Sequence, residues 1–206
     1  MDMGLEKLTK TVLQMAELSE KSVATSIEGY SEGKNLSEQI YEWSEELRKL
    51  QEEVSDLAIE LFARYQPVAS DLRYIKACME ISYGFSRFGR YAYDIAEVLQ
   101  MFGDLSECDH ALVEKTAITT KEMIRKSIDA FSKRDVELAK SVRQMDDIVD
   151  NNYREHVSKM IREPKLDIKC VASTTLILRY LERIADHASY IGDSVIFIAT
   201  RKHAGA

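Results

Sequence analysis

A chain of 206 residues with 45% hydrophobic side chains is long enough to bury a substantial core, as one large domain or two small ones. Its net charge of −7 and isoelectric point near 5.3 exclude a general nucleic-acid binder, which needs a basic face to displace counterions from phosphates. No apolar run approaches the roughly 18 residues that span a bilayer, and the N-terminus lacks the basic-then-apolar layout of a signal peptide, so the sequence predicts a cytoplasmic protein.

Only 8 Gly and 2 Pro punctuate the chain, and charged residues, 31% of the total, recur with helical periodicity, which predicts an all-α fold. Breaks near Glu32 to Asn35, at Pro67, around Gly103 to Ser106, near Lys133 to Asp135 and at Pro164 divide it into six helices, over 3–32, 35–64, 68–102, 107–132, 135–162 and 167–202. In the second helix Leu36, Ile40, Trp43, Leu47, Leu50, Val54, Leu57 and Leu61 step by fours and threes, the mark of a helix packed along its length. The third carries Ser82, Phe85, Gly89, Ala92, Ala96 and Leu99, whose small members permit close approach of a neighbour. The fifth begins Leu138, Val142, Met145, Val149 in the rhythm of the second. The sixth reads Leu178, Leu181, Ala185, Ala188, Gly192, Val195, Ala199, in the manner of the third. The joints match as well: Asp71 after Pro67 and Asp167 after Pro164 both suit the positive end of a helix dipole. The chain therefore divides into two pseudo-symmetric three-helix repeats, 1–103 and 104–206.

Asp146 with Asp150, and Glu182 with Asp186, stand at the i,i+4 spacing of one helix face. Each lies one position beyond its apolar stripe, so the pairs flank the packing seam on the same side, and antiparallel neighbouring helices would bring all four carboxylates together. Four such charges need a cation or must take up protons. Oxygen donors without thiolate suit Mg, Ca, Mn or iron, and carboxylates can also bridge iron or zinc. The competing reading is a solvated helix edge paired with Arg143, Arg179 or Arg183. Ser44 and Arg48 lie 102 residues before Asp146 and Asp150, and Ser86 and Arg90 lie 96 before Glu182 and Asp186, so the first repeat has lost all four acids. Ser44, Arg48, Ser86 and Arg90 either cradle an oxyanion or form a decayed metal site whose arginines pair with Glu45, Glu46 or Asp94.

Cys78, Cys108 and Cys170 are odd in number, far apart and without a CxxC spacing, and are read as reduced core or boundary side chains. His187 follows Asp186 but points about 100° away from it on a helix, and reads as a packed or solvated histidine. The only Glu-x-x-His spacing, Glu107 to His110, falls near a predicted helix start and is the sole support for a ferritin-like carboxylate-bridged metal enzyme. A metal-free helical interaction module is the third alternative.

The stretch ARYQPVASDLRYIKA, the stretch LRYLERIADHASYIGDSV and the tandem layout resemble the PhoU family of phosphate-signalling regulators across nearly the whole chain. The resemblance implies two side-by-side three-helix bundles, multinuclear iron or zinc clusters held by E/DxxxD motifs, and no catalytic turnover. It also implies, as partners, the ATP-binding subunit of a phosphate ABC transporter and a sensor histidine kinase, with contact to the membrane only through them; a homodimer is left open. Only Asp146, Asp150, Glu182 and Asp186 keep the motif and can inherit the metal role.

Overall fold

A computed structural model describes residues 1–163 and 167–201. Six helices follow in order: α1 Asp2–Glu32, α2 Ser37–Tyr65, α3 Ala69–Phe102, α4 Ala111–Lys133, α5 Val136–Arg162 and α6 Ile168–Thr200. Local chemistry sets their ends. Gly33, with φ 67°, closes α1 in the left-handed conformation that lacks a Cβ penalty, its N–H returning to the carbonyl of Tyr30 while that of Lys34 returns to Gly29. The side chain of Asp135 accepts from the N–H groups of Glu137 and Leu138 and starts α5, and Asp167 does the same for Cys170 at α6. Asp71 sits instead in the first turn of α3, which begins after Val68 without a side-chain cap. Pro67 occupies the α2–α3 turn; its partner in the sequence repeat, Pro164, lies outside the described residues.

Helix α1 packs on α2 and α3, and α4 on α5 and α6, giving two three-helix bundles. They share one interior: α3 and α6 pack on each other as extensively as α1 and α3 do, and α1 touches α4. The apolar stripes supply this core. Ile40, Leu47, Val54 and Leu61 of α2, Phe85 and Ala92 of α3, and Leu178, Leu181 and Ala188 of α6 are all buried. Each large one contributes about 1.5–3 kcal/mol by leaving water. Small residues bring backbones together. A Cβ at Gly192 would lie 2.9 Å from the carbonyl oxygen of Ala139, which fixes α6 against α5 at that level.

Two expectations are corrected. Cys108 and Cys170 are not free thiols but form a disulfide, with Cα atoms 5.3 Å apart, that ties the α3–α4 connection to the first turn of α6. They lie 62 positions apart in sequence, and only the convergence of two chain segments at one end of the molecule brings them together. Cys78 alone stays free, buried in the core with its thiol pushed up to about 12 by desolvation. The second correction is the start of α4, at Ala111 rather than 107. Asp104 and Asp109 accept from the N–H groups two residues on, Ser106 and Ala111, and these side-chain turns hold residues 103–110 out of the helix.

Candidate metal centre

Helices α5 and α6 run antiparallel, with a register set by contacts along their length. Gly192 meets Ala139, Arg143 pairs with Asp193 at 3.1 Å, and Arg179 lies over the ring of Tyr153. Between these points the register places Asp146 and Asp150 of α5 opposite Glu182 and Asp186 of α6. All four are half-buried, beside a seam formed by Val149, Leu181 and Ala185.

The electrostatics follow from that convergence. Asp146 has its carboxyl pushed up to about 6, first by burial, then by the charges of Asp186, Asp150, Asp147 and Glu182. Its Oδ1 is buried and has no hydrogen-bond partner. Glu182 and Asp186 are also raised, again mainly by burial, with arginines opposing the shift. Three of the acids turn to guanidinium groups on their own helices: Asp150 to Arg154 at 2.7 Å, Asp186 to Arg183 at 3.0 Å, and Glu182 to Arg179. As they stand, no three His, Cys, Asp or Glu side chains among the described residues are gathered as a metal-binding group.

The donor set fits a cation in chemical kind, while the side chains as placed do not gather as ligands. It is all oxygen, drawn from two facing helices, and one of its oxygens is a buried orphan that water does not reach. Turning the other three acids inward requires giving up ion pairs whose arginine members are exposed by 38–67%, interactions worth about 0–1 kcal/mol each. Arg154, four residues after Asp150, is a partner that spacing alone makes legible, whereas Arg143 pairs with Asp193 instead.

The first bundle holds no such group. Ser44 is buried on α2, packed beside Gly89, and Ser86 is half-buried on α3. Arg48 pairs with Glu45 at 3.2 Å and Glu52 at 2.6 Å, and Arg90 with Asp94 at 3.0 Å, so both guanidinium groups are engaged by carboxylates of their own helices. His187 is buried against Tyr83, Tyr91 and Tyr190, with its pKa lowered to about 4 by burial and by Arg183 and Arg87. Glu107 and His110 sit in the connection before α4, where the histidine bonds the carbonyl of Leu105 and packs on Tyr30, away from any inward-facing helix position.

Two pseudo-symmetric three-helix bundles, with a carboxylate seam in only the second, define an all-α tandem-repeat protein whose repeats differ in their polar residues. The PhoU domain matches residues 12–99 and 113–195, and the chain belongs to the PhoU family. It is 33% identical over 201 residues to the phosphate-specific transport system accessory protein PhoU homolog of Pseudomonas putida, spanning 94% of this chain and 78% of that protein. The crystal structure of PhoU from Pseudomonas aeruginosa superposes with a TM-score of 0.89 at 30% identity, covering 98% of this chain and 99% of that one. The phosphate transport system regulatory protein PhoU from Streptococcus pneumoniae has the same fold at 19% identity, also with a TM-score of 0.89. Among the described residues no helix is long and apolar enough to cross a membrane.

Proposed function

We propose that this chain is a non-enzymatic accessory regulator of phosphate transport, acting in the cytoplasm, whose second bundle carries a metal-stabilised docking face. Family membership over nearly the whole length supports the role, and the naming of the Pseudomonas putida relative as a transport-system accessory protein supports the kind of partner. The partners proposed are the ATP-binding subunit of a phosphate ABC transporter and a sensor histidine kinase. The observation that carries the metal reading is the convergence of four acids around the orphaned Oδ1 of Asp146.

Asp146, Asp150, Glu182 and Asp186 would hold the ion. A bound cation supplies charge neutralisation and a crosslink between α5 and α6 there, with no turnover required of it. Iron or zinc accords with the family and Mg, Mn or Ca with the oxygen donors. The residues themselves do the rest: the α5–α6 packing sets the spacing of the two carboxylate pairs, and Arg154, Arg179 and Arg183 hold the acids in place until an ion displaces them.

A metal-free interaction module is the second reading, favoured by those same arginine pairs. Deletion of the gene should derepress phosphate-uptake genes in phosphate-rich medium, and the protein should co-purify with the transporter's ATP-binding subunit. Unchanged uptake and expression in the deletion strain would remove the assignment. Capture of the subunit that survives Glu182→Gln and Asp150→Asn, in protein shown to lack metal, would favour the metal-free module.

A further inference from the structure

A second polar site lies at the opposite pole of the fold's chemistry, where the start of α3, the N-terminal turns of α1, the α4–α5 turn and the end of α6 meet around a cavity of about 320 Å³. Arg73 and Arg134 line it. In a protein whose other arginines so often pair with acids on their own helix, neither of these two forms an ion pair among the described residues. The Nε of Arg73 is buried and has no hydrogen-bond partner, an unfavourable state when nothing fills it. Arg134 lies over the Tyr74 ring, 4.9 Å from its centroid, on a backbone with φ 53°. That left-handed conformation disfavours any residue with a Cβ, and the corresponding end of α1 uses Gly33.

Hydroxyl groups and free amides complete the wall. Thr9 and Tyr74 share a hydrogen bond of 2.7 Å at the cavity, and Ser70 stands in the first turn of α3. That helix begins after Val68 with no side chain to cap it, so its first amides are unpaired by any capping group, whereas α6 uses Asp167 for the purpose. The second bundle closes its version of the site: Lys169, 96 residues after Arg73, donates its ammonium to the carbonyl of Asp104.

The cavity also presents two carboxylates, Asp71 and Glu6. They would repel a fully ionised oxyanion. An oxyanion that keeps a proton turns the same carboxylates into hydrogen-bond acceptors for its O–H, while the arginines take the charged oxygens. We propose that this cavity is a binding site for a phosphate group that retains a proton, with Arg73, Arg134 and Ser70 as donors and Asp71 or Glu6 as the acceptor that excludes sulfate. The site lies on residues separate from the carboxylate seam and does not rest on the metal reading.

Isothermal titration of the full chain at pH 8, low salt and in the presence of a chelator separates the sources of such a group. Inorganic phosphate still carries a proton there, methyl phosphate has lost its second one, whose pKa is about 6, and sulfate has none. Saturable binding of phosphate, at least tenfold tighter than of either competitor, is the expected result. Arg134→Asn, which suits the left-handed backbone and leaves the melting temperature in place, should weaken phosphate at least tenfold. Arg73→Gln should do the same. Asp71→Asn should narrow the gap between phosphate and sulfate. Absence of phosphate binding, equal binding of all three anions, or phosphate binding unchanged in both arginine variants would each overturn the proposal.

Discussion

Asp146 on α5 and Asp186 on α6 face each other across the seam, and after burial it is the charge of Asp186 that contributes most to holding the Asp146 carboxyl up near 6. The folded protein therefore keeps a proton on Asp146 that the unfolded chain, with an ordinary value of 3.8, has already released. For an acid shifted upward the sign is opposite to the usual one. The contribution to stability is present in full below about pH 4 and is lost as pH rises toward 6.

In chelator-treated protein, Asp146→Asn should raise stability at pH 7 by on the order of 1 kcal/mol, allowing for solvent screening of a half-exposed group, and leave it unchanged at pH 4. Urea titrations across pH 4–8 measure this. A variant less stable than the parent at pH 7 would show that Asp146 is held by a partner rather than opposed by its neighbours.

Metal affinity should fall sharply in Glu182→Gln and in Asp150→Asn, and rise when a competing guanidinium is removed. Arg183→Gln frees Asp186 from an ion pair worth up to about 1 kcal/mol, so it should tighten binding by roughly fivefold. Metal content after purification and competition with a chromogenic chelator report both changes. An unchanged affinity in the two acid variants would detach the seam from metal altogether.

Close packing of α5 on α6 gives a prediction with an internal control. Alanine gains about 1 kcal/mol over glycine in a helix interior, but at 192 its Cβ would lie 2.9 Å from the backbone of Ala139, which cannot rotate away. Gly192→Ala should cost about 1–2 kcal/mol net and weaken metal binding by spreading the carboxylate pairs. At Gly89 the nearest atom is the terminal methyl Cδ1 of Leu47, which can swing, so Gly89→Ala should lie within about 1 kcal/mol of the parent. Thermal unfolding of the two variants side by side decides it; a milder effect at 192 than at 89 would be inconsistent with this packing.

The disulfide predicts a redox-dependent stability. In the chain-entropy account a crosslink enclosing about 60 residues is worth roughly 4 kcal/mol, so Cys108→Ser or added reductant should lower the melting temperature by several degrees. Denatured, unreduced protein should titrate a single thiol, Cys78, and reduction should expose all three. Three reactive thiols before reduction would show the pair open in the isolated protein.

Features governed by local pattern were legible in the sequence. The stripes and Asp167 as a helix entrance depend on spacing within a helix, and each stands where spacing put it. The late start of α4 was not, because two aspartate side chains compete for backbone amides within the short segment 103–110 and at its edge. Nor was the Cys108–Cys170 bond, which depends on where the ends of α3 and α6 arrive in space. The cavity beside Arg73 and Arg134 escaped for the same reason: its two cations are 61 positions apart and meet only through the contact between bundles.

Joining Cys108 to Cys170 makes the intervening chain, with all of α4 and α5, a covalent ring. A single proteolytic cut anywhere inside that ring leaves the polypeptide in one piece, its two new ends still linked through sulfur, whereas a cut outside it releases a fragment. Nicked protein would therefore run as an intact chain without reductant and fall into two bands with it, so the damage would stay hidden for as long as the disulfide held.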